Sequence, residues 1–257
     1  MAEDGLVAVG ARNVRKTFGH VNALTDTSIA VRPGEIVCLF GDNGAGKSTL
    51  MKILCGLQPP DPGGGTVIID NKDVVLDSIR DAQRHGLGAV HQDLALAPDL
   101  SVLENMFLGH EIFRSGLLGR LGFLDRRSMA KQADAALRKL AIRLPSLNVA
   151  TGMLSGGQKQ ALAVARAVMW STKAVLMDEP TAALGATQAD IVCQTMRSVA
   201  DAGLGVLVVS HDIPRMLDTA DRVAILRHGR IVKYAPAHSM TVPEVVTYMV
   251  GGKVDAA

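Results

Sequence analysis

A chain of 257 residues with 48% apolar side chains can bury a large core, as one large domain or a domain with a subdomain. A formal charge of +2 without any basic stripe argues against nucleic acid as a partner. No stretch approaches the roughly 18 uncharged apolar residues of a membrane helix. The richest one, Ala161 to Trp170, carries Arg166, and the acidic start Met1-Ala2-Glu3-Asp4 shows no secretory apolar region. Cys38, Cys55 and Cys193 are widely spaced, so buried reduced thiols are expected rather than a disulfide, and the seven His lack metal-ligand spacing. The expectation is a soluble cytosolic chain that would need partners to work at a membrane.

Taken in order, residues 6–32 alternate apolar and polar, which predicts two or three antiparallel strands. The turn Arg32-Pro33-Gly34 leads into a short buried strand over 35–40. That strand ends at Gly41-Asp42-Asn43-Gly44-Ala45-Gly46-Lys47-Ser48-Thr49, which matches G-x-x-x-x-G-K-[ST] and runs on into a helix. Glycines there let backbone N–H groups turn inward on phosphates, whose charge the helix N-terminus favours. Lys47 would reach the β- and γ-phosphates and the Ser48 hydroxyl would hold Mg²⁺. Phe18, just ahead of this loop, is either a stacking surface for adenine or an ordinary core aromatic.

Residues 59–65 form a Pro/Gly loop before a strand over 66–69, a helix over 77–85 and a short strand over 88–91 that ends at Gln92-Asp93. From there to about 144 the pattern turns helical. Ser101 to Glu104 predicts a capping box, 110–124 a Gly- and Leu-rich irregular piece, and 125–140 an amphipathic helix capped by Asp125. This block is a candidate subdomain inserted in an α/β core. It closes at Leu154-Ser155-Gly156-Gly157-Gln158, where Ser155 is a good N-cap and the glycines leave N–H groups open to an anion; read alone, it is a capped helix start.

Ala174 to Met177 reads as a central parallel strand that delivers Asp178 and Glu179 at its C-terminal end. Beside a phosphate loop, Asp178 can support Mg²⁺ and Glu179 can orient or deprotonate a water, the alternative being a surface turn. After a helix over 188–202, the strand over 205–210 delivers His211, either structural or a donor to the γ-phosphate. A helix over 214–220, strands over 222–227 and 231–234 about Gly229, and a helix over 242–249 complete the chain, with the last residues frayed. No internal repeat is visible.

These separated motifs, in this order, resemble the ATP-binding subunit of ABC transporters, over essentially the whole chain. The most specific part is Leu154-Ser155-Gly156-Gly157-Gln158 shortly before Val175 to Glu179. The resemblance implies one ATP-binding domain over 1–257. Its α/β P-loop core has a mixed sheet (about 1–92 and 171–257) and an N-terminal antiparallel β subdomain, and a helical signature subdomain is inserted over about 93–170. It also implies that Gly41, Asn43, Gly44, Ala45, Gly46, Lys47, Ser48 and Thr49 bind phosphates, that Phe18 stacks on adenine, and that Ser48, Asp178 and Gln92 attend Mg²⁺. Glu179 would be the general base, and His211, Lys47 and Gln92 would assist it. Ser155, Gly156, Gly157 and Gln158 would contact the ATP of a second copy. The implied partners are transmembrane permease subunits and, indirectly, an external solute-binding protein. The implied place is the cytoplasmic face of the membrane. Phe18 stands where Tyr is common and Gly185 where Asp is usual. The stretches Glu104 to Gly109 and Glu179 to Gly185 resemble ATPases of bacterial ribose-, xylose- and fructose-type importers. Soluble ABC ATPases usually carry two cassettes or a coiled-coil insertion, and exporter halves carry fused membrane spans; neither appears in this sequence.

Overall fold

The computed structural model describes residues 5–91, 93–182 and 184–252. The chain opens with β1 (Val9–Phe18), β2 (Val21–Val31) and β3 (Ile36–Phe40), then α1 (Lys47–Leu54). Next come β4 (Thr66–Ile69), β5 (Lys72–Val74), α2 (Ile79–Arg84) and β6 (Leu87–Val90). The helical stretch holds α3 (Val102–Phe107), the short α4 (Leu117–Arg120), α5 (Arg126–Lys139) and α6 (Gly156–Met169). The chain ends through β7 (Ala174–Asp178), α7 (Ala186–Asp201), β8 (Gly205–Val209), α8 (Ile213–Thr219), β9 (Arg222–Arg227), β10 (Arg230–Pro236) and α9 (Val242–Val250).

Two sheets result. One is antiparallel in the order β2-β1-β4-β5; the other is mixed, in the order β10-β9-β3-β8-β7-β6. In the mixed sheet β9, β3, β8, β7 and β6 run parallel and β10 returns antiparallel along β9. The central strands are buried along their whole length because both faces are covered, which is why they read as continuous apolar runs. Side chains still alternate between faces with period two. Cys38, Phe40, Met177, Val208 and Ile225 point into one core with the helices, alongside Leu162 of α6 and Met196 of α7. Val37, Leu39, Leu176, Val209 and Leu226 point into a second core, shared with α1 and the antiparallel sheet through Leu50, Ile53, Val9 and Val67. Each large aliphatic side chain so buried contributes on the order of 1.5–3 kcal/mol, and truncating Phe40, which is fully buried, would cost about 3–5 kcal/mol.

Local chemistry sets the helix starts. Asp125 accepts from the Ser128 N–H at 3.0 Å, and Ser101 with Glu104 forms the expected capping box. The irregular piece over 110–124 is more ordered than its composition suggests, with a bridge between Phe113 and Leu124 and the single turn of α4. Strand β5 was not anticipated. At three residues, without a buried member, it has no apolar alternation to read and exists through its ladder with β4. Cys38, Cys55 and Cys193 are buried free thiols, as expected; burial raises all three, Cys55 to about 12. Among the described residues no helix is long and apolar enough to cross a membrane. The expected fraying of the last residues lies outside the described residues.

Candidate nucleotide site

The C-terminal ends of neighbouring parallel strands bring the predicted groups together. β3 runs into the loop 41–46, and α1 starts at Lys47. Gly46 has φ 108°, a conformation closed to most side chains, and a Cβ there would run into the Ala23 carbonyl. Gly41, Ala45 and Lys47 are buried, Thr49 is half-buried, and Asn43, Gly44 and Ser48 lie on the exposed side of the loop. The loop is stiffened from within, since the Asn43 N–H donates to the Asp42 side chain at 2.7 Å and the Ala45 N–H to the Asp42 carbonyl at 3.1 Å. Lys47 is only 7% exposed, and its Nζ donates to the carbonyls of Gly41 (2.8 Å) and Asp42 (3.1 Å). Burial lowers its pKa, while Glu179, Asp42 and Asp178 raise it again. A cation held mostly by neutral carbonyls can be recruited by a more strongly charged acceptor.

Opposite stands the end of β7. Asp178 has its carboxyl pushed up, first by burial and then by Glu179, and pulled down by His91, Lys47 and His211. Glu179 continues the ladder through its N–H to the Val209 carbonyl (2.9 Å), yet adopts φ 51°. A non-glycine residue in that region costs on the order of 1 kcal/mol or more, and such strain concentrates at reacting sites. The bend aims Glu179 at the next strand end, where His211 Nε2 lies 3.0 Å from its Oε1. Asp178, Glu179 and His211 thus meet in one polar centre at neighbouring strand ends.

Mg²⁺ fits the donor set. Ser48 and Asp178 line the same small cavity of about 70 Å³, and both offer oxygen, the donor type Mg²⁺ takes. Among the described residues no group of three or more His, Cys, Asp or Glu could hold a metal ion.

The remaining predicted residues fall in different places. Phe18 is 48% exposed at the tip of the β1–β2 hairpin, with Lys16 Nζ 5.7 Å from its ring, so the core-aromatic alternative does not hold. Gln92 lies outside the described residues. Ser155 and Gln158 are committed to each other in a capping box, with bonds of 3.0 and 3.3 Å. A Cβ on Gly157 would press on Gln188, and one on Gly156 on Leu184, so the signature sits against the start of α7. The phosphate loop's own neighbours are Ala23, Leu226, Asp178 and Glu179, a separate setting.

Two contributors escaped the sequence reading. His91, the residue after β6, lines the Ser48–Asp178 cavity and acts on Asp178; its position at a strand end, like His211, was the signal. Arg166, noted only as a charge in an apolar helix, donates to the carbonyls of Leu94 and Ala95 at 2.8 Å each, tying the segment after Gln92 to the signature helix. A cleft of about 290 Å³, lined by Gln83, His91, Leu108, His110, Arg166 and Trp170, opens on that side. His110 stacks on Trp170 at 4.1 Å, and Trp170 Nε1 donates to the Met106 carbonyl.

Comparison with known proteins fits this geometry. The pattern of the ABC transporter family matches residues 24–182. The chain is 41% identical to the xylose/arabinose import ATP-binding protein of Sulfolobus acidocaldarius, over 95% of each chain. It is 39% identical to the fructose import ATP-binding protein of Rhizobium meliloti, over 98% of this chain and 96% of the other. A dimeric ATP-binding cassette in a post-hydrolysis state, bound to ADP and Pi, superposes with a TM-score of 0.70 at 30% identity, over 89% of this chain and 98% of the other. On these matches the chain belongs to the ABC transporter family, as an ATPase subunit.

Proposed function

We propose that this chain hydrolyses ATP to power a membrane importer for a monosaccharide. The observation that carries the hydrolytic part is the convergence at the strand ends: Glu179 paired with His211 at 3.0 Å, beside Asp178 and the buried Lys47. In this reading Gly41 to Thr49 cradle the phosphates, Lys47 leaves its carbonyl partners for the β- and γ-phosphates, and Phe18 stacks on the base. Ser48 and Asp178, with Gln92, would hold Mg²⁺, which supplies charge stabilisation on the transferring phosphoryl group. Glu179 takes the proton of the attacking water, and His211 fixes the carboxylate and reaches the γ-phosphate. The sugar class rests on the relatives, which are import ATP-binding proteins for xylose/arabinose and fructose.

Ser155, Gly156 and Gly157 have a setting apart from the phosphate loop, which supports a site completed by the signature of a second copy, and the related cassette is dimeric. Two head-to-tail copies would then close on two ATP molecules and open after hydrolysis, a switch driven by ligand contacts that differ between the states. The helical block over about 93–170 would act as a subdomain that passes this motion to a permease. The cleft beside Arg166 and Trp170 supports a contact there, at the cytoplasmic face of the membrane. The test is Glu179→Gln. ATP binding should survive while hydrolysis falls about 10²–10⁴-fold, the share of a general base. The variant, trapped with ATP, should also bring down a multi-span permease from detergent-solubilised membranes. Wild-type turnover would overturn the catalytic assignment, and recovery of soluble partners alone would overturn the importer reading.

A further inference from the structure

The piece between α3 and α5 is folded but presents its apolar side chains outward. Its backbone is closed by bonds from the Arg114 N–H to the Phe123 carbonyl (2.9 Å), the Asp125 N–H to the Ile112 carbonyl (2.7 Å) and the Phe123 N–H to the Leu118 carbonyl (3.0 Å). At its centre a Cβ on Gly119 would collide with the Arg114 carbonyl, so the turn of α4 lies directly on that strand. This is a built hairpin. Yet Phe113, Leu117, Leu118, Leu121 and Phe123 are all exposed, Leu117 at 72% and Leu121 at 65%. Such a density of exposed large apolar groups marks a surface meant to be covered.

We propose that this hairpin dips into the surface of an anionic lipid bilayer. Charge selects the occupant. Over 111–125 the ionisable side chains are Glu111, Arg114, Arg120 and Asp125; Glu111 accepts from the Gly109 N–H and Asp125 caps α5, whereas Arg114 and Arg120 are exposed without an ion pair among the described residues. Arginines flanking aliphatic and aromatic side chains are the pattern of an element lying at the headgroup boundary, where the cations meet lipid phosphate and the apolar groups reach the acyl chains. The apolar side chains stand out from a turn and line neither cleft described above, so they are shaped to enter a soft surface rather than to receive a partner's helix. Location agrees: Leu108 and His110, just ahead of the hairpin, line the cleft that the importer reading assigns to the permease. The inference rests on that reading for its setting at a membrane, while its test needs no permease.

The experiment is co-sedimentation of the purified full chain with vesicles of phosphatidylcholine, alone or mixed with phosphatidylglycerol, at low and high salt. ATP affinity and hydrolysis are measured on the same samples. Wild type should bind the mixed vesicles more tightly than the neutral ones, and high salt should weaken the difference. Leu117→Asp with Leu121→Asp should lower partitioning about tenfold or more. Arg114→Glu with Arg120→Glu should remove the preference for the anionic lipid and leave the weaker neutral binding. Both variants should keep wild-type ATP affinity, hydrolysis and melting temperature. Vesicle binding that ignores both variants, or none by wild type, overturns the proposal. So does loss of self-association, read by light scattering on the same samples, without loss of vesicle binding, which assigns the hairpin to a second copy. Vesicle binding by a chain whose Glu179→Gln variant brings down no permease would sink the importer reading and leave this one standing.

Discussion

The phosphate loop and the signature turn both begin a helix with glycines and polar side chains, but their hydrogen bonds go to different places. At the phosphate loop the charged groups come from separate strand ends and face one another: Lys47 on neutral carbonyls, Asp178 with its carboxyl raised, Glu179 bent toward His211. At the signature, Ser155 and Gln158 satisfy each other and the glycines rest on α7. The first N–H groups of α6 have no partner within the helix, so they are what the turn can offer outward. One end is a cluster of charged groups drawn from separate strands. The other is a finished surface, made rigid before anything binds it.

That contrast can be broken at Lys47 first. Lys47→Ala removes a buried cation from the cluster and should raise the Kd for ATP ten- to hundredfold, about 1.5–3 kcal/mol for a lost charged hydrogen bond, as read by titration calorimetry. Ser155→Ala should act oppositely. It removes a cap and should cost about 1 kcal/mol, a fall of roughly 2–4 °C in Tm, while the ATP affinity of the monomer stays put. If Ser155→Ala weakened ATP binding by the monomer, the two ends would not be separate. A third change probes the helix start next to the hairpin. Glu104 is drawn down to about 2 by the Ser101 hydroxyl and N–H and then by Arg126. A depressed carboxyl stabilises in full above its ordinary range and loses that contribution as pH falls toward about 2. Glu104→Gln should therefore cost below about 1 kcal/mol at pH 7, since the group is partly exposed, and thermal melts should show the gap closing as the solution is acidified below about 4.5. The smallest effect belongs to Gly185. It caps α7 without a side-chain bond, and a Cβ there meets open space, so Gly185→Asp should stabilise by only a few tenths of a kcal/mol in a denaturant titration.

Much of this was legible because it is written locally. The caps at Ser101, Asp125 and Ser155 each need only a side chain and an N–H three residues on. The strand ends carrying Asp178, Glu179 and His211 follow from continuous apolar runs that stop at polar residues. What escaped depends on partners remote in sequence. β5 pairs by ladder alone, His91 matters through Asp178, and Arg166 through the carbonyls of residues 94 and 95. The φ of Glu179 is imposed by its tie to Val209, which no local pattern announces. Phe18, taken alone, read more readily as a core aromatic than as a stacking surface, and the hairpin puts it at an exposed tip instead.

The three cysteines carry a practical consequence. All are buried, and burial holds each thiol protonated, whereas thiol reagents attack the thiolate. The native chain should thus react only slowly with maleimide dyes. A lone reporter thiol, from Leu117→Cys on the hairpin or Gly185→Cys at the start of α7, would take up the label without any prior removal of the natural cysteines. Fluorescence from that one position could then follow hairpin and helix separately through a cycle of nucleotide addition and release.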